Sequence, residues 1–278
     1  WDAWNEGKFN HVFYKENKEG AEGIDILKGE NFDSPQKPFG GDEDYNWSPD
    51  GKSIVYVCKK KSGTEYALST DTNIYEYNLE TGKTINRTEG NFGYDTAPQF
   101  SPTGDLTWLQ MKRDGYESDK NDLIVSHKGS KINLTANWDG TVSSFKWSND
   151  GKKIYFIAPI DGTLQVFEVN FPGLTKNAIA VKQITNGDFD VHDLIGFSGD
   201  NLIVTRNDMN HAAEIFSYNL KKNTWKQLSN VNTATYSTLA MSKTERRYVT
   251  TTDGKKMLVW VILPPNFDAT KKYPTLLY

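Results

Sequence analysis

The sequence predicts an all-β protein, a β-propeller of four-stranded antiparallel blades. Two observations support this prediction. A turn motif recurs about every fifty residues, the spacing of a propeller blade. The segments between these turns are short and rich in β-branched and aromatic residues, and none shows sustained helical periodicity. Four complete blades with partial blades on both sides are expected.

The recurring motif is WSPDGK, which begins at Trp47 and returns in altered form at Phe100, Trp147 and Phe197. In the string SPDG, the proline sets φ for an early turn position, while Asp and Gly tolerate the positions that follow. Each copy is therefore predicted to be a hairpin turn between two strands. The aromatic residue in front of it is expected to pack between neighbouring blades.

Each repeat contains four β-rich segments. In chain order they read DYNWS, SIVYVCKK, NIYEYNL and KTINRT, then DTAPQFS, LTWLQMKR, DLIVSH and KINLTA, then VSSFKWS, KIYFIAPI, LQVFEVN and AVKQIT, and finally DLIGFS, NLIVTRND, EIFSYNL and WKQLS. A single four-stranded sheet cannot cover both of its faces, whereas neighbouring blades cover one another.

The repeats are incomplete at both ends. NHVFYKE and GIDILKGE precede the first full blade and are expected to be the last two strands of an earlier blade, and ATYSTLAMSK is expected to be one opening strand after the fourth. The opening WDAWNEGKFN has neither an initiator Met nor the pattern of a signal peptide. The chain is therefore expected to be a piece of a longer protein.

Composition excludes several function classes. The 278 residues carry a net charge of −4 with both signs interspersed, whereas nucleic-acid binding needs a concentrated basic face. No apolar run approaches the ~18 residues of a transmembrane helix. The single cysteine, Cys58, is expected to be buried in its apolar strand, and the basic run Lys59 to Lys61 is expected to be a solvated loop.

The segment from Arg246 breaks the repeat pattern. It reads RRYVTTTDGKKMLVWVILPPNFDATKKYPTLLY, two long strands around a DG turn followed by a basic loop and a new apolar strand. This segment resembles the start of the α/β-hydrolase domain in the prolyl oligopeptidase family of serine peptidases. Residues 1–245 are therefore predicted to be a partial β-propeller, and residues 246–278 the truncated start of an α/β-hydrolase domain.

Four further stretches resemble the dipeptidyl-peptidase V and acylaminoacyl-peptidase branch of that family, particularly versions from Bacteroidetes-type bacteria. They are PQKPFGGDEDYNWSPDG, GTEYALSTDTNIYEYN, MKRDGYESDKNDL and RNDMNHAAEIF. The resemblance implies the substrate-gating propeller of a periplasmic or secreted serine exopeptidase that releases dipeptides or N-terminal residues from short peptides. It implies an α/β-hydrolase domain of the same polypeptide as partner, with no cofactor, nucleic acid or membrane, and it leaves a homodimer open.

The catalytic residues of that family are not expected in this chain. Its members place the nucleophile in a G-x-S-x-G elbow, followed along the chain by Asp and His. No such string occurs here, and the nearest, Gly196 to Asp200, has the wrong spacing and is a degenerate blade turn. This chain alone is predicted to be inactive.

The stretch RNDMNHAAEIF contains the first candidates for substrate binding. Dipeptidyl-peptidase relatives hold the substrate's N-terminal ammonium with propeller carboxylates. The resemblance therefore implies this role for Asp208 or Glu214, with Arg206 holding a substrate carbonyl. The alternative is an Arg–carboxylate pair that braces the loop between the second and third strands of the blade.

The stretch MKRDGYESDKND places two further candidates, Arg113 and Glu117, at the equivalent position of the second blade. Its carboxylates fail the calcium-loop order, and the four histidines lack metal-ligand spacing, so no metal site is predicted. A non-catalytic TolB-type propeller that binds protein partners also fits the turn motifs, although the segment after Arg246 speaks against it. A glycan-cleaving propeller lacks the paired acidic residues of a glycosidase.

Overall fold

The structure is a computed structural model that describes residues 7–174 and 179–278, and nearly all of its regular elements are antiparallel strands. The described strands form four four-stranded sheets and two two-stranded sheets. The predicted all-β class and the four complete blades are therefore confirmed.

The strands follow the order of the repeats. The N-terminal pair is β1 (Phe13–Tyr14) and β2 (Ile24–Asp25). The first blade is β3 (Tyr45–Trp47), β4 (Ser53–Cys58), β5 (Asn73–Asn78) and β6 (Thr84–Asn86). The second blade is β7 (Asp95–Phe100), β8 (Leu106–Gln110), β9 (Asp122–His127) and β10 (Ser130–Asn133).

The third blade is β11 (Ser144–Trp147), β12 (Lys153–Ile160), β13 (Thr163–Asn170) and β14 (Val181–Gln183). The fourth is β15 (Asp190–Ser198), β16 (Asn201–Asp208), β17 (His211–Asn219) and β18 (Thr224–Gln227). The C-terminal pair is β19 (Lys243–Thr250) and β20 (Lys256–Leu263). Within every blade each strand pairs with the next one along the chain.

The chain divides into two compact units. The first comprises residues up to Phe156 together with Glu168–Lys182, and the second comprises Ile157–Phe167 together with Gln183–Tyr278. The first two blades belong to the first unit and the fourth blade to the second unit.

The recurring motif forms the predicted turn. In the first blade, Ser48 Oγ donates to Asp50 Oδ1 at 2.7 Å, and the Gly51 N–H donates to Ser48 O at 2.9 Å. Gly51 has a φ of +68°, which glycine adopts without a steric cost. Ser148 and Asp150 repeat the 2.7 Å bond in the third blade, so the same local chemistry makes both hairpins.

The first blade shows how neighbouring sheets bury one another. Alternate residues of β4 point to opposite faces, and all six are buried. The cluster on one face comprises Val12, Ile26, Leu27, Ile54, Tyr56 and Cys58. The cluster on the other face comprises Val55, Val57, Ile74, Leu106, Trp108 and Ile124. Both faces are thus covered, one by the β1–β2 segment and the other by the second blade.

The aromatic residue before the turn packs between blades most clearly in the third repeat. Trp147 is buried, and its Nε1 donates to Thr107 Oγ1 of the second blade at 3.0 Å. Trp47 instead remains 48% exposed and makes a T-shaped contact with Tyr14, with ring centroids 6.3 Å apart. A blade beside a two-stranded sheet has less neighbouring surface to cover its aromatic residue.

The expectation of a solvated basic run is wrong for Lys59. Its side chain is buried, Nζ donates to Ser69 O at 2.9 Å, and Nζ lies 4.1 Å from the ring centroid of Tyr66. Tyr66 lies on the short helix α1 (Gly63–Leu68), which occupies the long β4–β5 loop. Burial lowers the pKa of Lys59, and the charges of Glu117 and Asp114 partly oppose this shift. Cys58 is buried as expected, and burial raises its pKa to about 12.

The expected opening strand at ATYSTLAMSK is also wrong. The segment begins within the short helix α2 (Thr233–Tyr236), in which the Tyr236 N–H donates to Asn232 O at 3.0 Å. A strand here would need a partner, but β19 and β20 pair with each other over their full length. No helix of the described residues has the length and apolar character needed to span a lipid bilayer.

Candidate functional site

A cavity of about 550 Å³ lies beside the fourth blade, within the second unit. We call it the blade-four cavity. Its lining comes from β16, β17, the end of β18 and α2, and includes Arg206, Asp208, His211, Glu214, Phe216, Gln227 and Tyr236. Three of the residues predicted from sequence, Arg206, Asp208 and Glu214, therefore line the same cavity.

Aromatic rings hold the Arg206 side chain. Its guanidinium carbon lies 3.8 Å from the ring centroid of Phe189, 4.9 Å from that of Phe216 and 5.0 Å from that of Trp225. Such contacts orient a guanidinium through its flat face without using its N–H groups. Partial burial lowers the pKa of Arg206, and the charge of Asp208 opposes this shift.

The Arg206 guanidinium has no hydrogen-bonded acceptor and no ion pair among the described residues. This is unusual because Glu214 is its direct cross-strand partner in the β16–β17 ladder, and opposite charges in that position normally attract. Glu214 is instead held elsewhere. The five N–H donors of Arg206 thus remain available to the cavity.

Ser229 binds the Glu214 carboxylate. The Ser229 hydroxyl donates to Glu214 Oε2 in a short hydrogen bond, and the Asn232 N–H approaches Oε1 at 3.4 Å. The same hydroxyl accepts the N–H of Ile215, the residue after Glu214, at 2.8 Å. We call this three-residue arrangement a hydroxyl latch, since it ties the end of the fourth strand to the start of the third.

The hydroxyl latch recurs in every blade. The hydroxyls of Thr88, Thr135 and Thr185 accept the N–H of Ile74, Leu123 and Val166 at 3.0, 2.9 and 2.8 Å. They donate to the side chains of Asn73, Asp122 and Gln165 at 3.2, 2.8 and 2.7 Å. Glu214 is therefore the fourth member of a repeated structural position, and the only Glu among the four.

The charge of Glu214 has no counter-ion among the described residues, although its side chain is only 6% exposed. The second blade provides a comparison, because its latch also contains a carboxylate. Lys120 Nζ lies 2.9 Å from Asp122 Oδ1 there and neutralises it. A buried carboxylate that borders a cavity and lacks a cation is suited to bind a cationic group.

Asp208 is engaged within its own turn. It accepts the N–H groups of Asn210 and His211 at 2.8 and 3.0 Å, and His211 Nδ1 lies 2.8 Å from Oδ1. The His211 ring meets Tyr236 edge-on at 4.9 Å, and Tyr236 Oη accepts the Ala212 N–H at 2.7 Å. These contacts attach α2 to the β16–β17 turn and form one wall of the cavity.

The two candidates of the second blade belong to the first unit. Arg113 is exposed and pairs with Asp119, to which its Nε donates at 2.8 Å, and its guanidinium carbon lies 3.7 Å from the ring centroid of Tyr116. Glu117 Oε1 accepts the Tyr94 hydroxyl at 3.2 Å. The contacts of Arg113 fit an ion pair that braces its loop.

Several residues that line the cavity or hold its charged side chains in place could not be recognised from the sequence. Phe189, Trp225 and Tyr236 carried no signal beyond a high aromatic content. Ser229 did have one, because the fourth strand of each repeat ends on Asn or Gln, and Thr or Ser follows two positions later, in the strings NRT, NLT, QIT and QLS. No group of three or more potential metal-ligating side chains occurs within the part of the chain that the structure describes.

The blades and their turns define a propeller, and comparison with known families shows which one. The chain belongs to the TolB beta propeller domain family (PD40), whose model matches residues 44–270. It is 39% identical to dipeptidyl-peptidase 5 of Porphyromonas gingivalis and 41% identical to dipeptidyl-peptidase 5 of Porphyromonas endodontalis. Each alignment covers 100% of this chain but only 40% of the relative.

A solved structure supports the fold. Acylaminoacyl peptidase from Pyrococcus horikoshii matches with a TM-score of 0.61 at 18% identity, over 83% of this chain and 33% of that chain. The resemblance to the dipeptidyl-peptidase branch, inferred above from the C-terminal segment and four internal stretches, is confirmed by sequence identity along the whole chain. The chain spans 40% of the length of the curated relatives that it matches.

Proposed function

We propose that this chain is the substrate-gating propeller part of a serine exopeptidase that releases dipeptides or N-terminal residues from short peptides. Within it, the blade-four cavity would receive the peptide's N terminus. The observation that carries this proposal is that Glu214 and Arg206 lie opposite each other on neighbouring strands, although neither side chain has an ion-pair partner among the described residues.

The first residue of a peptide carries a binding partner for each of these two groups. It offers an ammonium group, and a carbonyl oxygen lies a few bonds away on the same residue. Glu214 retains free lone pairs for an ammonium, since each carboxylate oxygen can accept two hydrogen bonds. Arg206 can donate to the carbonyl oxygen through its fork of N–H groups. An N-acylated peptide would lose the first of these interactions.

Catalysis would lie in a part of the parent protein outside this chain, which contains no G-x-S-x-G string. We propose that residues 1–245 are propeller and that residues 246–278 begin the α/β-hydrolase domain. A periplasmic or secreted location and a homodimer are further proposals from the same resemblance. The curated relatives favour the peptidase over a non-catalytic TolB-type propeller, because their similarity extends through the segment after Arg246.

Titration calorimetry with L-alanyl-L-alanine amide tests the amine site, and the N-acetyl form of this compound is its control. The variant Glu214→Gln removes the charge but should keep the latch, since Gln165 accepts the Thr185 hydroxyl in the third blade. We expect about a 10- to 100-fold loss of affinity, the range for a hydrogen bond to a charged group. Glu80→Gln, at an exposed glutamate outside the cavity, is the matched control. Equal affinity of the free and acetylated compounds would contradict the proposal.

A further inference from the structure

We propose that Ser229 is a positioning residue of this site, whose hydroxyl keeps Glu214 away from Arg206 and thereby leaves both charged groups open to a peptide N terminus. The inference rests on the proposed function, since it concerns how the same cavity is prepared for its ligand. Ser229 itself does not line the blade-four cavity, so it would act through Glu214.

The geometry at Ser229 fixes the direction of its proton. A hydroxyl has one proton to donate, together with lone pairs that accept. The Ile215 N–H occupies the accepting side of Ser229 Oγ at 2.8 Å, and Glu214 Oε2 receives the proton. Because Ile215 directly follows Glu214, the hydroxyl bridges the backbone and side chain of adjacent residues. This bridge holds the carboxylate in one orientation.

The latches of the first two blades differ from that of the fourth in the residue across the strands. The cross-strand partner of Asn73 is Cys58, and that of Asp122 is Gln110. Neither partner carries a charge that could attract the latch side chain. Glu214 instead faces Arg206, and without a restraint the two would be expected to form an ion pair.

Such an ion pair would disable the site. The carboxylate would acquire the counter-ion that it lacks among the described residues, and the guanidinium would lose donors that could otherwise bind a ligand. Ser229 therefore controls whether the two groups bind each other or a ligand. Thr occupies the same position in the other three latches, so Ser229→Thr should preserve the function.

The experiment measures the affinity of L-alanyl-L-alanine amide for the 278-residue chain by calorimetry. We expect Ser229→Ala to lower it roughly tenfold, the effect of losing one charge-assisted hydrogen bond, and Ser229→Thr to stay within about twofold of the unsubstituted chain. Thr185→Ala removes the same bonds from the third-blade latch and should leave affinity unchanged. In a Glu214→Gln background, Ser229→Ala should have no effect, because the residue acts only through that charge.

The outcomes separate the two proposals. Absence of binding by the unsubstituted chain would overturn the amine site and this inference with it. Binding that Glu214→Gln weakens but Ser229→Ala leaves intact would overturn the inference alone, as would an equal loss with Thr185→Ala. If circular dichroism shows that Ser229→Ala does not fold, Ser229→Cys replaces it, since a thiol is a weak donor. Unweakened binding by that variant would equally overturn the inference.

Discussion

The guanidinium carbon of Arg206 lies 3.8 Å from the ring centroid of Phe189, whereas the carboxylate directly across the strands, Glu214, is held by Ser229. The cation is therefore oriented by ring faces rather than by an anion. Stacking of this kind favours arginine, whose guanidinium is planar and weakly hydrated, over lysine. A site built in this way keeps a charged group ordered while its hydrogen-bond donors remain free.

The variant Arg206→Lys should weaken binding of L-alanyl-L-alanine amide by about tenfold, because a lysine ammonium neither stacks on three rings nor presents a fork of donors. Thermal unfolding should change little, since no hydrogen bond of Arg206 within the described residues is lost. Calorimetry measures the affinity, and Arg247→Lys, at an exposed arginine outside the cavity, is the matched control. Equal weakening by both substitutions would indicate a general charge effect rather than a site.

The hydroxyl latch should stabilise each blade independently of any ligand. Thr88 is fully buried, and Thr88→Val keeps its shape while leaving the Ile74 N–H without an acceptor. A buried donor left unsatisfied costs about 1–3 kcal/mol, so urea denaturation should show a loss of that size in the free energy of unfolding. Thr88→Ser retains the hydroxyl and should recover most of the loss. An unchanged free energy of unfolding in Thr88→Val would mean that the latch does not stabilise the blade.

The blade architecture could be predicted because it depends on local chemistry that the sequence repeats. Turn residues such as Asp50 and Gly51 specify a hairpin through contacts within a few positions. The blade-four cavity combines residues that are distant in sequence, and its central feature is the absence of an expected ion pair between Arg206 and Glu214. A sequence pattern shows which charges are present, but not which neighbour each one binds.

Lys59 is a second charged residue whose contacts could not be predicted from the sequence pattern. Charged runs are usually solvated, but this lysine follows a strand whose six residues are all buried. The carbonyl of Ser69, directly after α1, and the ring of Tyr66 in α1 contact its ammonium group. Whether Lys59 is solvated or buried depends on the tertiary position of α1. The Asn/Gln-x-Thr/Ser signature of the latch, by contrast, was present in all four repeats and could have identified Ser229.

Asp95 should make the stability of the protein depend on pH. It is fully buried at the start of β7, where Trp108 Nε1 and Gln110 Nε2 donate to Oδ1, both at 2.8 Å. Burial raises its pKa to about 6, and hydrogen bonds from Gln110, Asn91 and Trp108 oppose the shift. The folded state then binds the proton more tightly than the unfolded state, in which the pKa is 3.8. The contribution of Asp95 to stability therefore rises as pH falls from about 6 to about 4.

The variant Asp95→Asn removes this titration but keeps an acceptor oxygen for Trp108. Denaturation at a series of pH values should show the unsubstituted chain gaining free energy of unfolding relative to the variant on acidification. A shift of two pKa units corresponds to about 3 kcal/mol. Asp44, whose pKa burial also raises to about 6, titrates in both proteins and cancels in the difference. A difference that is constant across this range would contradict the assignment.

The catalytic residues of the parent protein are expected to lie outside this chain. Acylation chemistry needs a nucleophile, a base that accepts its proton and a group that orients the base. The sequence contains no G-x-S-x-G elbow, although the chain aligns along its whole length with dipeptidyl-peptidases. The purified 278-residue chain should therefore bind free-amine dipeptide amides without hydrolysing dipeptidyl chromogenic substrates.

Heat-denatured chain gives the background rate, and trypsin digestion of a chromogenic substrate shows that the assay responds. Turnover above background that persists through purification would place catalytic residues within the propeller. Binding without turnover would agree with a propeller that selects the N terminus while chemistry occurs elsewhere in the parent protein.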